Sequence, residues 1–153
     1  KRNHHAKHCV CKVWDSQLGR KIENGSHLFF IYRHYNHAVT SPVAFRGLES
    51  RNLKVIFANK AFATADHNTP TINQQLPVQD PLSANQLNAL AVNSAKYGIS
   101  HWGLNNPKKG IVNVVGPANG ITLPVMPIGC GDSQPSTHGE LGTFAIALGT
   151  SHL

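Results

Sequence analysis

The chain has 153 residues, enough for one domain with a core of its own, and 41% of them are hydrophobic, as a globular protein requires. No apolar run approaches the roughly 20 residues needed to span a bilayer, and there is no signal-peptide apolar core, which excludes a helical membrane protein and predicts no secretion. The formal net charge is +7 with only 14% charged residues, and the three cysteines lack paired spacing. A disulfide framework is therefore not expected, and a reducing compartment is, the cytoplasm or the mitochondrial matrix.

Residues 1–11 form a basic tail that also carries His4, His5, His8, Cys9 and Cys11, the residue types zinc uses. The Cys-x-Cys spacing is tighter than the usual Cys-x2-Cys knuckle and no second pair follows, so no specific metal site is expected there. Residues 12–153 are expected to form a single domain. Leu28–Tyr32 is a β-rich apolar run that predicts a strand. Thr40-Ser41-Pro42 opens a helix to about Ser50, with Thr40 or Ser41 as its cap and Pro42 in its first turn. Leu53–Ala58 and Ala61–Ala65 predict two more strands. The polar connection Thr69–Pro81 is the longest expected loop, after which Ser83 caps a helix to about Tyr97. Leu87, Leu90, Ala91, Ser94 and Ala95 form its inner face, and Gly98 is its stop.

Ile111–Val115 and Val125–Cys130 are near-continuous apolar runs, as strands of a parallel sheet are when buried on both faces. A Gly-rich helix is expected from about His138 to Leu148. This alternation predicts an α/β fold, a three-layer sandwich around a mostly parallel sheet. His34, His37 and His101 are each able to serve as a ligand, but they fall at strand ends or turns, where ordinary hydrogen bonding is the stronger expectation.

Two stretches carry chemistry, Ala65-Asp66-His67-Asn68-Thr69-Pro70-Thr71 and Gly129-Cys130-Gly131-Asp132-Ser133-Gln134-Pro135-Ser136-Thr137-His138-Gly139. Each follows an apolar run and puts Asp, Ser or His where strand gives way to loop, the place ligands occupy in open α/β sheets. With Arg33-His34-Tyr35-Asn36-His37-Ala38-Val39-Thr40-Ser41-Pro42, Gly110-Ile111-Val112-Asn113-Val114-Val115-Gly116-Pro117, Gly120-Ile121-Thr122-Leu123-Pro124 and Gly149-Thr150-Ser151, they resemble the aconitase superfamily, and within it the large subunits of isopropylmalate dehydratases. The resemblance covers nearly the whole chain, in the family's order. It implies the family's first α/β domain, and a hydro-lyase that moves water across a carbon–carbon bond of a hydroxy-dicarboxylate. The open iron of a [4Fe-4S] cluster serves there as Lewis acid. The family's cluster cysteines lie in a later part of the large subunit, and Cys9, Cys11 and Cys130 do not match them, so no cofactor is expected on this chain.

The same resemblance assigns Asp66, His67, Asp132 and Ser133 to catalytic positions and Arg33 to substrate binding. It also exposes departures. Gln134 stands where the family has the histidine of Gly-Asp-Ser-His-Thr, Asn113 where it has that of Gly-Ile-Val-His-Val, and Tyr32 and Ala38 replace an Asp and a Glu. Carboxamides hydrogen-bond but do not titrate near neutral pH, so they hold a ligand without passing a proton. The expected function is a degenerate, non-catalytic domain serving as a structural or interaction component of a larger assembly. The alternative is the N-terminal part of an active hydro-lyase completed by other domains or chains, and a carboxylate sensor is a third option. Through Lys54 ten Lys or Arg face Asp15, Glu23 and Glu49, while the remainder is neutral. Lys12, Arg20, Lys21, Arg46 and Arg51 are thus interface candidates toward an acidic partner, a protein or ribonucleoprotein assembly with RNA contact among the options.

Overall fold

A computed structural model describes residues 8–149 of the chain. Helix α1 (Cys9–Gln17) leads into a small antiparallel pair, β1 (Leu18–Lys21) and β2 (His27–Phe29). The helix runs across position 11, and Trp14 anchors it: its ring lies 4.3 Å from Phe29 and 5.5 Å from Phe144, centroid to centroid and edge-on.

The remainder is built on a five-stranded, wholly parallel sheet of β3 (Arg33–His37), β4 (Ala61–Thr64), β5 (Ser100–Trp102), β6 (Pro127–Cys130) and β7 (Phe144–Ala147), ordered β5-β4-β3-β6-β7. Helices α2 (Ser41–Ser50) and α3 (Pro81–Tyr97) connect the strands of one half. Helix α4 (Val112–Ala118) and a 3-10 helix, Pro135–Leu141, connect those of the other. Side chains alternate across the strands, so each face of the sheet receives its own core. Ala38, Phe45, Ala61, Ala63, Leu90 and Ile99 pack on the α2–α3 side, and Tyr35, Val112, Ile121, Ile128 and Cys130 on the other. This is the α/β layering expected, with the sheet fully rather than mostly parallel.

Several element assignments are corrected. Ile111–Val115 is not a strand: Val112 and Val115 are buried three positions apart while Ile111 and Val114 are exposed, the periodicity of helix α4. Leu53–Ala58 is not a strand: it is irregular to Val55, turns at Ile56 and Phe57 and enters a 3-10 turn at Ala58, with Leu53 N–H bonded back to Leu48 O and Ile56 and Phe57 exposed. The expected helix 138–148 is instead the 3-10 turn followed by β7. Gly142, at φ 74°, ends the turn in the left-handed region glycine favours, and Phe144–Ala147 then pairs with β6. The Leu28–Tyr32 run splits, Leu28 and Phe29 going to β2 while the central strand starts at Arg33. Helix α3 is capped by Asp80 rather than Ser83: Asp80 Oδ2 accepts from Ser83 N at 2.7 Å and from Ser83 Oγ at 2.6 Å. On its inner face Leu90 and Ser94 are buried as expected, Ala95 is exposed, and Gly98 ends the helix at φ 69°.

Candidate functional site

The chain enters the sheet at β3, builds outward to β4 and β5, then returns to the other side of β3 with β6. The strand order therefore reverses between β3 and β6, and a crevice opens at the carboxyl ends of these two strands. His37 ends β3, Asp66 and His67 follow β4, and Gly131, Asp132 and Ser133 follow β6. Four of the expected site residues, Asp66, His67, Asp132 and Ser133, thus gather at one end of the sheet.

The Asp66 side chain is 4% exposed and works in two directions. Its Oδ2 accepts the Val112 N–H at 2.9 Å, at the start of α4, where the cap residue Ile111 has no polar side chain to offer. Its Oδ1 lies 3.6 Å from His67 Nδ1, an ion-pair separation rather than a hydrogen bond, and the His67 ring is half exposed. Thr64, at the end of β4, fixes the other flank of the same loop: its hydroxyl donates to Gly110 O at 3.1 Å.

His37, a possible ligand by residue type, joins this group at the end of a strand that no apolar run marks. Its ring centroid lies 4.9 Å from that of His67. Val39 N–H donates to His37 Nδ1 at 3.4 Å, so the ring proton sits on Nε2, which faces Gly131 O and Thr40 Oγ1, each at 3.3 Å. The Thr40 hydroxyl is thereby used at the crevice and makes no cap bond to α2. Burial, reinforced by the neighbouring His67, holds the His37 pKa below the ordinary histidine value, so the ring is neutral and its lone pair already occupied.

Across the crevice Asp132 Oδ1 accepts Ser133 N–H at 2.6 Å, turning the carboxylate onto its own loop, and Ser133 is exposed. Asn113, on α4, donates from Nδ2 to Gln134 O at 3.2 Å, while its Oδ1 is buried without a partner. That carbonyl is a free acceptor beside the site.

Arg33 stands apart. It opens β3, four residues or about 13 Å along the strand from His37, with its guanidinium 5.8 Å from the Phe62 ring centroid and its Nε buried without a partner. Of the basic residues singled out, Lys12 lies on α1, Arg20 and Lys21 on β1, Arg46 on α2 and Arg51 at its C-cap. They occupy two separate regions, the α1–hairpin unit beside β7 and the α2 layer.

Cys130 is fully buried among Tyr35, Val112 and Ile128, and burial pushes its thiol up to about 12, the opposite of what a thiolate ligand needs. Cys9 opens α1, and Cys11, on the same helix, is exposed. His4 and His5 lie outside the described residues. Among the described residues no group of three His, Cys, Asp or Glu is placed to hold a metal ion, and no helix is long and apolar enough to cross a membrane.

Comparison with known proteins agrees with this architecture. The sequence profile of the Aconitase family (aconitate hydratase) matches residues 11–153. The 3-isopropylmalate dehydratase large subunit of Flavobacterium johnsoniae is 65% identical over 142 residues, which are 93% of this chain and 31% of that protein. The proteins of the same name from Bacteroides thetaiotaomicron and Thermus thermophilus are 46% and 44% identical, with 93% of this chain covered and 31% and 30% of theirs. The chain thus spans about a third of the length of the curated relatives it matches. On a profile match that takes in both site loops and every strand of the parallel sheet, the chain belongs to the aconitase family.

Proposed function

We propose that this chain is an isopropylmalate-dehydratase-like first domain that keeps the framework of the family's site without its proton-transfer chemistry. In this reading it acts as a structural or interaction component of a larger assembly. The observation that carries the proposal is the Asn113–Gln134 contact, in which the carboxamide of one residue bonds the main chain of the other at 3.2 Å. The resemblance places a histidine at each of these positions. A carboxamide neither gives up nor takes a proton near neutral pH, and losing one general acid–base group costs about 10²–10⁴ in rate. The remaining imidazoles do not replace both groups: the His37 lone pair is engaged by Val39 N–H, which leaves His67, beside Asp66, alone.

In intact members the resemblance implies a [4Fe-4S] cluster, which supplies a Lewis-acid iron to the substrate hydroxyl. The residues of this chain do not fit such a cluster, and none is assigned to it. The basic residues on α1, β1 and α2 are the contact this reading gives to an acidic partner, a protein subunit or an RNA. The rival reading, the first part of an active hydro-lyase, is favoured by the retained Asp66–His67 pair.

Grafting decides between them. This chain replaces the matching segment of the Flavobacterium johnsoniae large subunit, the small subunit is supplied, and isopropylmalate dehydration is measured. The expected result is no turnover from the unmodified chimaera and a gain of at least about 10² with Asn113→His and Gln134→His together. Turnover by the unmodified chimaera overturns the non-catalytic reading in favour of its rival.

A further inference from the structure

We infer that the amino end of the sheet holds a second ligand site, one that takes a small amphipathic carboxylate. A cavity of about 370 Å³ opens there, between the sheet and α2. Ile31, just before β3, Ala61, at the start of β4, and Ile99, just before β5, place it at the opposite ends of the strands from Asp66 and Asp132. Its walls are apolar, with Phe45 and Leu48 of α2 on one side and Val55 on the other. Small-ligand sites run from about 300 to 1,000 Å³, so this one suits a short molecule.

Charge selects the kind of molecule. Lys54 and Lys60 line the cavity and no Asp or Glu does, and among the described residues neither lysine has an acid within ion-pair distance. The Lys60 ammonium is directed by three rings, 4.5 Å from the Phe30 centroid, 5.1 Å from Phe57 and 5.6 Å from Tyr32. These rings hold the cation in place without neutralising it. His34 and Asn36 add hydrogen-bonding groups to the lining, and burial keeps His34 neutral. Beside the lysines, the turn that replaces the expected strand 53–58 leaves Ile56 and Phe57 exposed, at 84% and 51%. Exposed large apolar side chains bordering a concave apolar surface mark a binding site more than a solvated loop. An alkyl chain fills the cavity between Phe45, Val55 and Ile99, and its carboxylate meets Lys54 and Lys60 at the mouth.

This site is independent of the reading given above for the carboxyl end, and one titration separates them. The full chain is titrated with sodium hexanoate while backbone amide shifts are followed. Saturable shifts are expected at Ile31, Val55, Lys60 and Ile99, with binding roughly tenfold weaker for hexanamide, which has the same chain and no charge. Lys60→Met, which keeps the apolar stem, is expected to weaken hexanoate by a similar factor, and Ala44→Phe, which fills the cavity from α2, to abolish binding. Should Ala44→Phe fail to fold, Lys60→Met and hexanamide still decide. No saturation, equal binding of hexanamide, or shifts centred on His67 and Asp132 instead would each overturn the proposal.

Discussion

Truncating Asp66 separates its structural role from any chemical one. The carboxylate is nearly buried and is the acceptor for Val112 N–H at the start of α4. Asp66→Ala leaves that N–H without a partner, which costs about 1–3 kcal/mol, and removes a negative charge from a helix N-terminus, worth about 0.3–1 kcal/mol. The sum centres near 2–3 kcal/mol. Asp66→Asn keeps an oxygen in the same place to accept from Val112 and presents its amide hydrogens toward His67 Nδ1, so only the charge contribution is lost, about 0.3–1 kcal/mol. Equilibrium urea denaturation, followed by far-UV circular dichroism and by Trp14 and Trp102 fluorescence, measures both. With a slope of about 1–3 kcal/mol per molar urea, the alanine variant is expected to unfold about 1 M earlier and the asparagine variant close to the parent. If the asparagine variant falls as far as the alanine one, or if neither moves, the carboxylate does not pin α4 and the account of the site loop is wrong.

Two further outcomes follow from the buried polar groups. In Gly116→Ala the new Cβ would stand 2.6 Å from Tyr35 Oη and 2.7 Å from Thr122 Oγ1, both buried and bonded to each other at 2.8 Å, so overpacking should outweigh the gain in helix propensity. A net loss of about 1–3 kcal/mol is expected in the same urea assay, partly relieved in combination with Tyr35→Phe; equal stability would refute the packing. His34, His37 and His138 are held below their ordinary pKa chiefly by burial, so they stay neutral in the fold and charge on unfolding. Stability is therefore whole above the unfolded histidine pKa of about 6.5 and falls as the pH drops below it, by up to about 1.4 kcal/mol per pH unit for each group, and a urea midpoint unchanged between about pH 7 and pH 5 would contradict this.

What was legible in the sequence and what was not divide along one physical line. Helices α2 and α3 and strands β4 and β6 are written locally, in Pro at a first turn, Gly at a stop and short apolar runs, and they appear where those signals place them. The central strand β3 is Arg-His-Tyr-Asn-His and has no local β signal. It is a strand because β4 and β6 both pair with it and because Tyr35 meets Phe62 and Cys130 across the ladders. For the same reason His37, a possible ligand by residue type, had no strand to place it beside Asp66 and Asp132. Ile111–Val115 misled in the opposite sense: an apolar run of that length suits strand or helix, and the choice was made by Asp66, 46 residues earlier, capping α4. The site loops themselves were legible, because Asp66 and Asp132 follow the apolar runs that do become β4 and β6.

The crevice also separates residues that hold the framework from residues that would do chemistry. Asp66 caps α4, Thr64 bonds the Gly110 loop, and His37 joins the end of β3 to Gly131, so each ties two elements together and its loss is felt in the fold. Gln134 and Asn113 differ from these: Gln134 is exposed and bonds only through its main chain, and Asn113 ties α4 to that main chain through one amide hydrogen, a bond an imidazole N–H can also make. The side chain at position 134 can therefore change between imidazole and carboxamide with little consequence for the sheet or its helices, since surface changes away from such ties shift stability by only about 0.5 kcal/mol. The strand order that opens the crevice does not depend on proton carriers either, because it follows from where β6 re-enters beside β3. Folding thus leaves open the choice between imidazole and carboxamide at positions 113 and 134, while it does constrain Asp66, which caps α4.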